Sequence, residues 1–528
     1  MSNRPNVTIS RFLPLDTTQN KTSYDFGRLM KNHNYLYLQN GGLEERGGGT
    51  DLAAGPAASK AYGFANYKNN EAAEFLLLTQ GTKIYYYNSG WVDAGVVLTS
   101  NQYMRFEQAG FGANRNMYAV NGSDSVTKIT TTASVPAASA VASSPTDGEF
   151  IKLHKNRLFV ANNRDTLYYT DVNAFETWAL GTNDIEIAPG VDGYIQGLEI
   201  WGDSLFIFKE RGIYIIPNAA ESVSSWSVLK IDAETGTLSP DTIRRTKDGV
   251  YFLATDGRVR KINPNVTFTS GEYVLGGTGS PVVSERIQET IDLYIERGNI
   301  QRAHAVLYKD LYILSYNSTD ATGNEMDICY AADTTKFEQI PSIQTLQPFW
   351  TQFTNFEFDF YAVQTVSSDP VLYCVDESAV TASRLVRGIH NDSSSAIESV
   401  IEVGWSAPPD RFTGQPDTAT YRLFHPIIVF AELENWDVDV EVATYKLNDF
   451  IPAEISGREY TVSGASSTAL VGTAVVGTGT VTNVGIKSQK FRTGLRGNFL
   501  AIKCENLNAD EFTRINKIIV FYDNLHRE

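Results

Sequence analysis

The residues in this chain that could carry chemistry are few and widely scattered. In Gly41-Gly-Leu-Glu-Glu-Arg-Gly-Gly-Gly49, Gly42 and Gly47 have the gap of a phosphate-binding loop. Gly48 and Gly49 occupy the positions where that loop needs a lysine and a Ser/Thr. The segment therefore offers no cation for a phosphate and no hydroxyl for magnesium, and it reads as a loop. Gly477-Thr-Gly479 has Thr482 where a dinucleotide fingerprint needs its third glycine. His33, His154, His304, His390, His425 and His526 form no His-Glu-x-x-His pattern, and none lies near a cysteine at zinc spacing. Each reads as an isolated surface or packed residue, so no metal and no cofactor is expected. Cys329, Cys374 and Cys504 lack Cys-x-x-Cys spacing. Cys374 and Cys504 sit in apolar runs, where an inert buried thiol is the default.

Acidic groups are plentiful, with 61 Asp+Glu against 44 Lys+Arg and a formal charge of −17. That balance argues against a nucleic-acid-coating role, which needs the opposite sign over a broad face. A pair of carboxylates at glycosidase separation could exist, but sequence alone cannot bring two together. No catalytic residue is expected, and the chain reads as a non-enzyme. One acidic pattern has a geometric meaning. In Asp437-Val-Asp439-Val-Glu441-Val the acids alternate with valines, so a strand would put Asp437, Asp439 and Glu441 on one face and the valines on the other. The plain reading is a solvated outer face. The sharper one is the acidic lining of a passage, which would keep a polyanion from sticking to its wall.

The elements that must position these groups are strands. Aromatic residues make up 12% of the chain, with Tyr 27 and Phe 27, and such side chains fit pleated, half-buried surfaces. Short apolar runs begin at Phe75, Met117, Leu158, Leu205, Val250, Leu311 and Val371, most turning into a second run through pairs such as Asn121-Gly122 or Asp256-Gly257. The intervals are 42, 41, 47, 45, 61 and 60 residues. Four-stranded propeller blades repeat at about 40–50 residues, so the two long intervals need insertions, one of them between Tyr316 and Met326. Trp91, Trp178, Trp226 and Trp350 recur near the runs, where they would fill the space between neighbouring sheets. The chain is thus expected to be all-β, a β-propeller of six or seven blades; an ordinary sandwich or meander is the alternative. Thr170-Asp-Val-Asn-Ala-Phe-Glu-Thr-Trp178 loosely resembles the Asp-box turn of sialidase propellers but lacks its glycine and spacing, and that box is a structural turn.

Composition divides the chain into an extended N-terminal arm with its Gly-rich entry segment over 1–58, a propeller over 59–391, and a C-terminal antiparallel β-sandwich-like domain over 392–528. The arm could lie across the propeller or supply its closing strand. Residues 131–147 read as a small-residue linker, and the Ser/Gly/Ala/Thr-rich stretch 463–485 as a long loop or hairpin. The first residues have no basic segment leading into an apolar one, and no stretch has the roughly 20 apolar residues that span a bilayer. No secretory signal and no membrane segment are therefore expected. An odd, sparse cysteine count in 528 residues points to synthesis in a reducing cytoplasm.

In order and spacing, the chain resembles the propeller-bearing tail proteins of short-tailed bacteriophages, the nozzle or tail-tube protein and the related head-stabilisation (tail hub) protein. The carrying residues are Lys155-Asn-Arg-Leu-Phe-Val160, Tyr168-Tyr-Thr-Asp171, Trp178, Gly202-Asp-Ser-Leu-Phe-Ile-Phe208, Gly212-Ile-Tyr214 and Asp248-Gly-Val-Tyr-Phe-Leu253. The entry segment Gly41–Gly47, Gly497-Asn-Phe-Leu-Ala-Ile-Lys503 and the terminal Ile-Val-Phe-Tyr strand add to the likeness. The resemblance implies a structural virion protein, assembled in the bacterial host cytoplasm as a homohexameric ring. That ring would extend the DNA ejection conduit below the portal and adaptor proteins and carry or abut tail fibres or spikes. It implies DNA in transit without specific binding, and no catalytic residue to carry over. The alternative from another class is a carbohydrate-binding or carbohydrate-active propeller, a receptor-binding protein or glycosidase. A bacterial propeller scaffold is a third.

Overall fold

The computed structural model describes residues 5–18, 25–56, 59–69, 73–99, 101–110, 115–132, 135–217, 219, 223–232, 234–263, 265–269, 272–276, 279–295, 297–316, 328–340, 345–356, 358–377, 381–386, 391–392, 395–408, 419–433, 438–446, 457–462, 485–507 and 513–525. The protein is all-β, and its larger unit is a β-propeller. Seven antiparallel sheets follow one another in the chain over residues 61–93, 105–140, 148–186, 195–232, 244–262, 303–353 and 360–386. The fifth has three strands, and each of the others has four. Every apolar run that set the sequence repeat is the second strand of a blade, from Glu74–Gln80 to Asp369–Val375.

Blades cohere because neither face of a small sheet can cover itself. Each adjacent pair encloses its own apolar cluster, around the full circle from blades one and two to blades seven and one. The four tryptophans lie in or against these clusters, as their spacing suggests. Fully burying one such large apolar side chain contributes about 1.5–3 kcal/mol, so the seven clusters dominate the cohesion of the ring. The longer interval before blade six contains the hairpin Asn265–Thr269/Glu272–Gly276 and the helix Gln288–Tyr294, whose Ile291 packs into the cluster between blades five and six. The expected insertion between Tyr316 and Met326 lies outside the described residues, as do 463–484 of the C-terminal stretch.

One sequence expectation changes and another is resolved. The small residues over 131–147 are not simply a linker. Thr127–Thr132 and Val135–Ala140 are the third and fourth strands of blade two. The fourth strand is an outer edge with only one neighbour, so it needs few large apolar side chains and gives little strand signal.

Of the two readings for residues 1–58, the closing strand is the one found, and the described residues before it do more than lie across the propeller. Gly48–Ala54 pairs with Thr381–Val386 and completes blade seven, closing the propeller with a strand from before its first blade. Asn6–Ile9, Arg28–His33, Tyr35–Tyr37 and Leu43–Glu45 join the strands of residues 399–524. Together they make two antiparallel sheets face to face around one core, in which Leu29, Tyr35 and Leu43 pack with Val440, Ile502 and Ile518. This is the sandwich expected for the C-terminal third, built with N-terminal strands. One of its sheets continues into blade six, because Arg28–His33 lies between Gln347–Phe353 of the propeller and Ser399–Ser406 of the sandwich.

Candidate functional site

Val438–Tyr445 is a strand with the alternation its sequence requires. Val438, Val440 and Val442 are buried in the sandwich core, while Asp439 is exposed and Glu441 half-buried on the opposite face. Asp437 lies outside the described residues. Strand pairing adds what the linear sequence hides: basic residues among the acids. Across five strands the register runs Lys31, Glu402, Lys503, Glu441, Glu459. One step along, Asp439 stands opposite Glu505. Burial opposes the charge on Lys503, yet Glu505, Glu402 and Glu441 together hold its ammonium above the usual range. Asp439 accepts a hydrogen bond from Thr461 Oγ1 at 3.2 Å, and Glu441 accepts one from the Gly457 N–H at 2.6 Å. The face is acidic on balance, with the two lysines set inside it.

A second site, which the sequence did not disclose, lies on the propeller axis. The innermost strands of all seven blades surround a cavity of about 410 Å³. Arg105 of blade two reaches across the axis to Asp241, in the turn before blade five, with Nε–Oδ1 3.1 Å and Nη2–Oδ2 2.8 Å. Its guanidinium also lies 4.7 Å from the centre of the Phe150 ring. Burial disfavours the Asp241 charge, but Arg105 and its neighbours hold the carboxyl far below the usual carboxylate range. Lys152 of blade three bonds Glu199 of blade four at 3.1 Å and faces Glu107 of blade two at 3.9 Å. Burial, reinforced by Glu199, raises the Glu107 pKa. His304 of blade six is 6% exposed, and burial brings its imidazole down to about 4, so it is neutral at pH 7. Only burial and packing, which a linear sequence does not contain, bring these residues from five blades together.

Tyr103, which lines the cavity, links it to a second cluster, centred on Glu377. This carboxylate accepts from Lys60 at 3.0 Å, from Arg302 at 3.3 Å and from the Tyr103 hydroxyl at 3.3 Å. Its N–H donates to Asp359 Oδ2 at 2.8 Å. Asp359 is 3% exposed, and burial raises its carboxyl to about 7, with Asp376 and Glu377 adding to the shift.

The Gly-rich entry segment is a joint, in keeping with its failed phosphate-loop test. The Arg46 side chain is 1% exposed, and all five of its N–H groups have acceptors: Asn34 Oδ1, the Gly47 and Thr354 carbonyls, and both Asp392 oxygens at 3.1 and 2.5 Å. Phe353 and Phe356 flank the guanidinium at 5.6 and 5.1 Å. Asp392 also accepts from the Gly49 N–H at 2.8 Å, at the start of the closing strand. A second buried knot joins Arg28, Glu338, Arg286 and Asp16, tying the N-terminal segment to the region around blade six.

The expected inert thiols are buried and free, and burial pushes Cys504 up to about 12 and Cys374 well above its ordinary value. His33 is pulled down to about 4 by burial, and His154 bonds the Asp203 carbonyl at 2.9 Å. His390 and His526 lie outside the described residues. Among the described residues, no group of three or more His, Cys, Asp and Glu side chains could hold a metal ion. No helix there is long and apolar enough to cross a membrane.

No family model matches the sequence, and no curated protein matches it. Among solved structures, the chain is similar to the extracellular domain of a hybrid two-component system from B. thetaiotaomicron, at 11% identity and a TM-score of 0.36. The match covers 72% of this chain and 42% of that one, so this chain spans less than half the length of its neighbour.

Proposed function

We propose that this protein is a structural ring component of a short-tailed bacteriophage tail, a nozzle or hub subunit that extends the DNA conduit below the portal and adaptor proteins. The observation that carries the reading is the combination of a fused body with a bridged axis. A single sheet runs from blade six through Arg28–His33 into the sandwich, and the N-terminal segment closes the propeller as well. Such a body suits a part that bears load. The axis of the propeller is spanned by the Arg105–Asp241 pair, so a conduit would be formed between copies rather than through one. The acidic face around Asp439, Glu441, Glu459 and Glu505 suits the wall of that conduit, since it offers few cations to hold passing phosphates.

A closed ring needs a head-to-tail interface repeated by rotation, and a permanent one should bury about 2,000 Å² or more. The ring itself is the test. Electron microscopy of the protein, alone and with virion adaptor protein, should show sixfold particles with an open centre. Persistence as monomers at high concentration in the presence of the adaptor would overturn the proposal.

A further inference from the structure

The structure assigns a ligand to the axial cavity: we propose that it binds a small monocarboxylate, of the sugar-acid class, anchored by the Arg244 guanidinium. The cavity, at about 410 Å³, is in the size range of small-molecule sites, and a folded polymer cannot enter it. Its cations differ in how they are occupied. Arg105 is held by Asp241 and Glu149, and Lys152 by Glu199. Arg244 donates Nη1 to the carbonyl of the adjacent Ile243 at 2.8 Å and forms no ion pair with a carboxylate among the described residues. Its charge is nevertheless felt across the cavity, at Asp241, His304 and Lys152.

A partly buried guanidinium that touches no carboxylate directly gains from an anion supplied from outside, and its rigid fork matches a carboxylate through two parallel hydrogen bonds. The rest of the lining selects among anions. Glu107 and Asp241 share the cavity and oppose a doubly charged phosphate more than a single carboxylate. Phe360 and Tyr103 line the cavity and supply aromatic surface for the body of the ligand, and the neutral His304 offers one N–H donor for a hydroxyl. The proposal is independent of ring assembly, because all of these residues belong to one propeller.

The test is calorimetric titration of the full chain with glucuronate, with glucose and inorganic phosphate as comparisons. Glucuronate is expected to bind at least about tenfold more tightly than either. Arg244→Gln should weaken glucuronate binding by about tenfold or more, while Lys247→Gln, at an exposed pair with Asp310, should leave it unchanged. Arg244→Lys keeps the charge but loses the fork, so it should also weaken binding, which guards against a glutamine variant that fails to fold. Absence of glucuronate binding at millimolar concentration, equal affinity for glucose or phosphate, or full affinity in a folded Arg244 variant would each overturn the assignment.

Discussion

Asp359 shows how burial rather than sequence sets the properties of a side chain. It is an ordinary aspartate before an aromatic strand, with nothing in its neighbours to mark it out. In the fold it is 3% exposed, accepts the Glu377 N–H and sits near a carboxylate cluster, and burial lifts its pKa to about 7. An acid with a raised folded pKa keeps a proton that the unfolded chain has already released. Its contribution to stability is therefore fullest below the unfolded value of about 3.9 and is lost as pH rises through 7. Asp359→Asn removes the ionisation while its amide oxygen can still accept the Glu377 N–H. Relative to the parent, the variant should gain about 1–3 kcal/mol of stability between pH 5 and pH 8 in urea unfolding. A difference between the two proteins that stays constant across that range would show that Asp359 ionises as it would in water.

At the scale of elements, the blades pack closely enough that backbone meets backbone. Gly236, in the connection between blades four and five, passes against the turn of the Ser204–Lys209/Ile213–Ile216 hairpin. A Cβ built there would lie 2.1 Å from the Lys209 carbonyl oxygen and 2.5 Å from the Glu210 carbonyl carbon. Because those are backbone atoms, no rotamer change relieves the clash. Gly236→Ala should cost about 1–3 kcal/mol by overpacking and shift blade four from its neighbour. Gly202→Ala is the contrasting case. Its φ of +60° is left-handed and a Cβ there meets nothing within 4 Å, so its cost of about 1 kcal/mol would come from backbone strain alone. Denaturation midpoints of the two variants should rank in that order, and the reverse order would show that the connection yields easily. The apolar run at Leu205 marks this hairpin in the sequence, but nothing there marks the stretch of chain that lies against its turn.

For the whole molecule, two units share one sheet and one buried joint. Arg46 satisfies all five donors at the meeting point of the closing strand, blade six and the sandwich, and Asp392 has its principal counter-charge there. Lysine at 46 keeps a charge but cannot make the paired contact with both Asp392 oxygens. Arg46→Lys should destabilise the protein by about 3 kcal/mol, as expected for a buried pair that loses its geometry. Since the joint belongs to both units, circular dichroism and tryptophan fluorescence should report one coincident transition in the parent and in the variant. Separated transitions in the parent would mean that the shared sheet does not couple the units.

The sequence by itself determined the repeating unit. Apolar runs at Phe75, Met117, Leu158, Leu205, Val250, Leu311 and Val371 mark the second strand of each blade, because a strand covered on both sides by neighbouring blades must be apolar throughout. It also determined the two-faced Val438–Val442 strand, whose period of two is a local property. Tertiary structure alone decided the rest. Gly48–Ala54 has almost no strand signal of its own, so the sequence left the segment between an arm and a closing strand; hydrogen bonds to residues more than 300 positions away make it the strand. The lysines opposite the acidic stripe arrive by strand register, and the axial cavity gathers side chains from separate blades. Local patterning reflects which face of an element is covered; which distant strand covers it, and which charges then meet, depends on how the chain closes on itself.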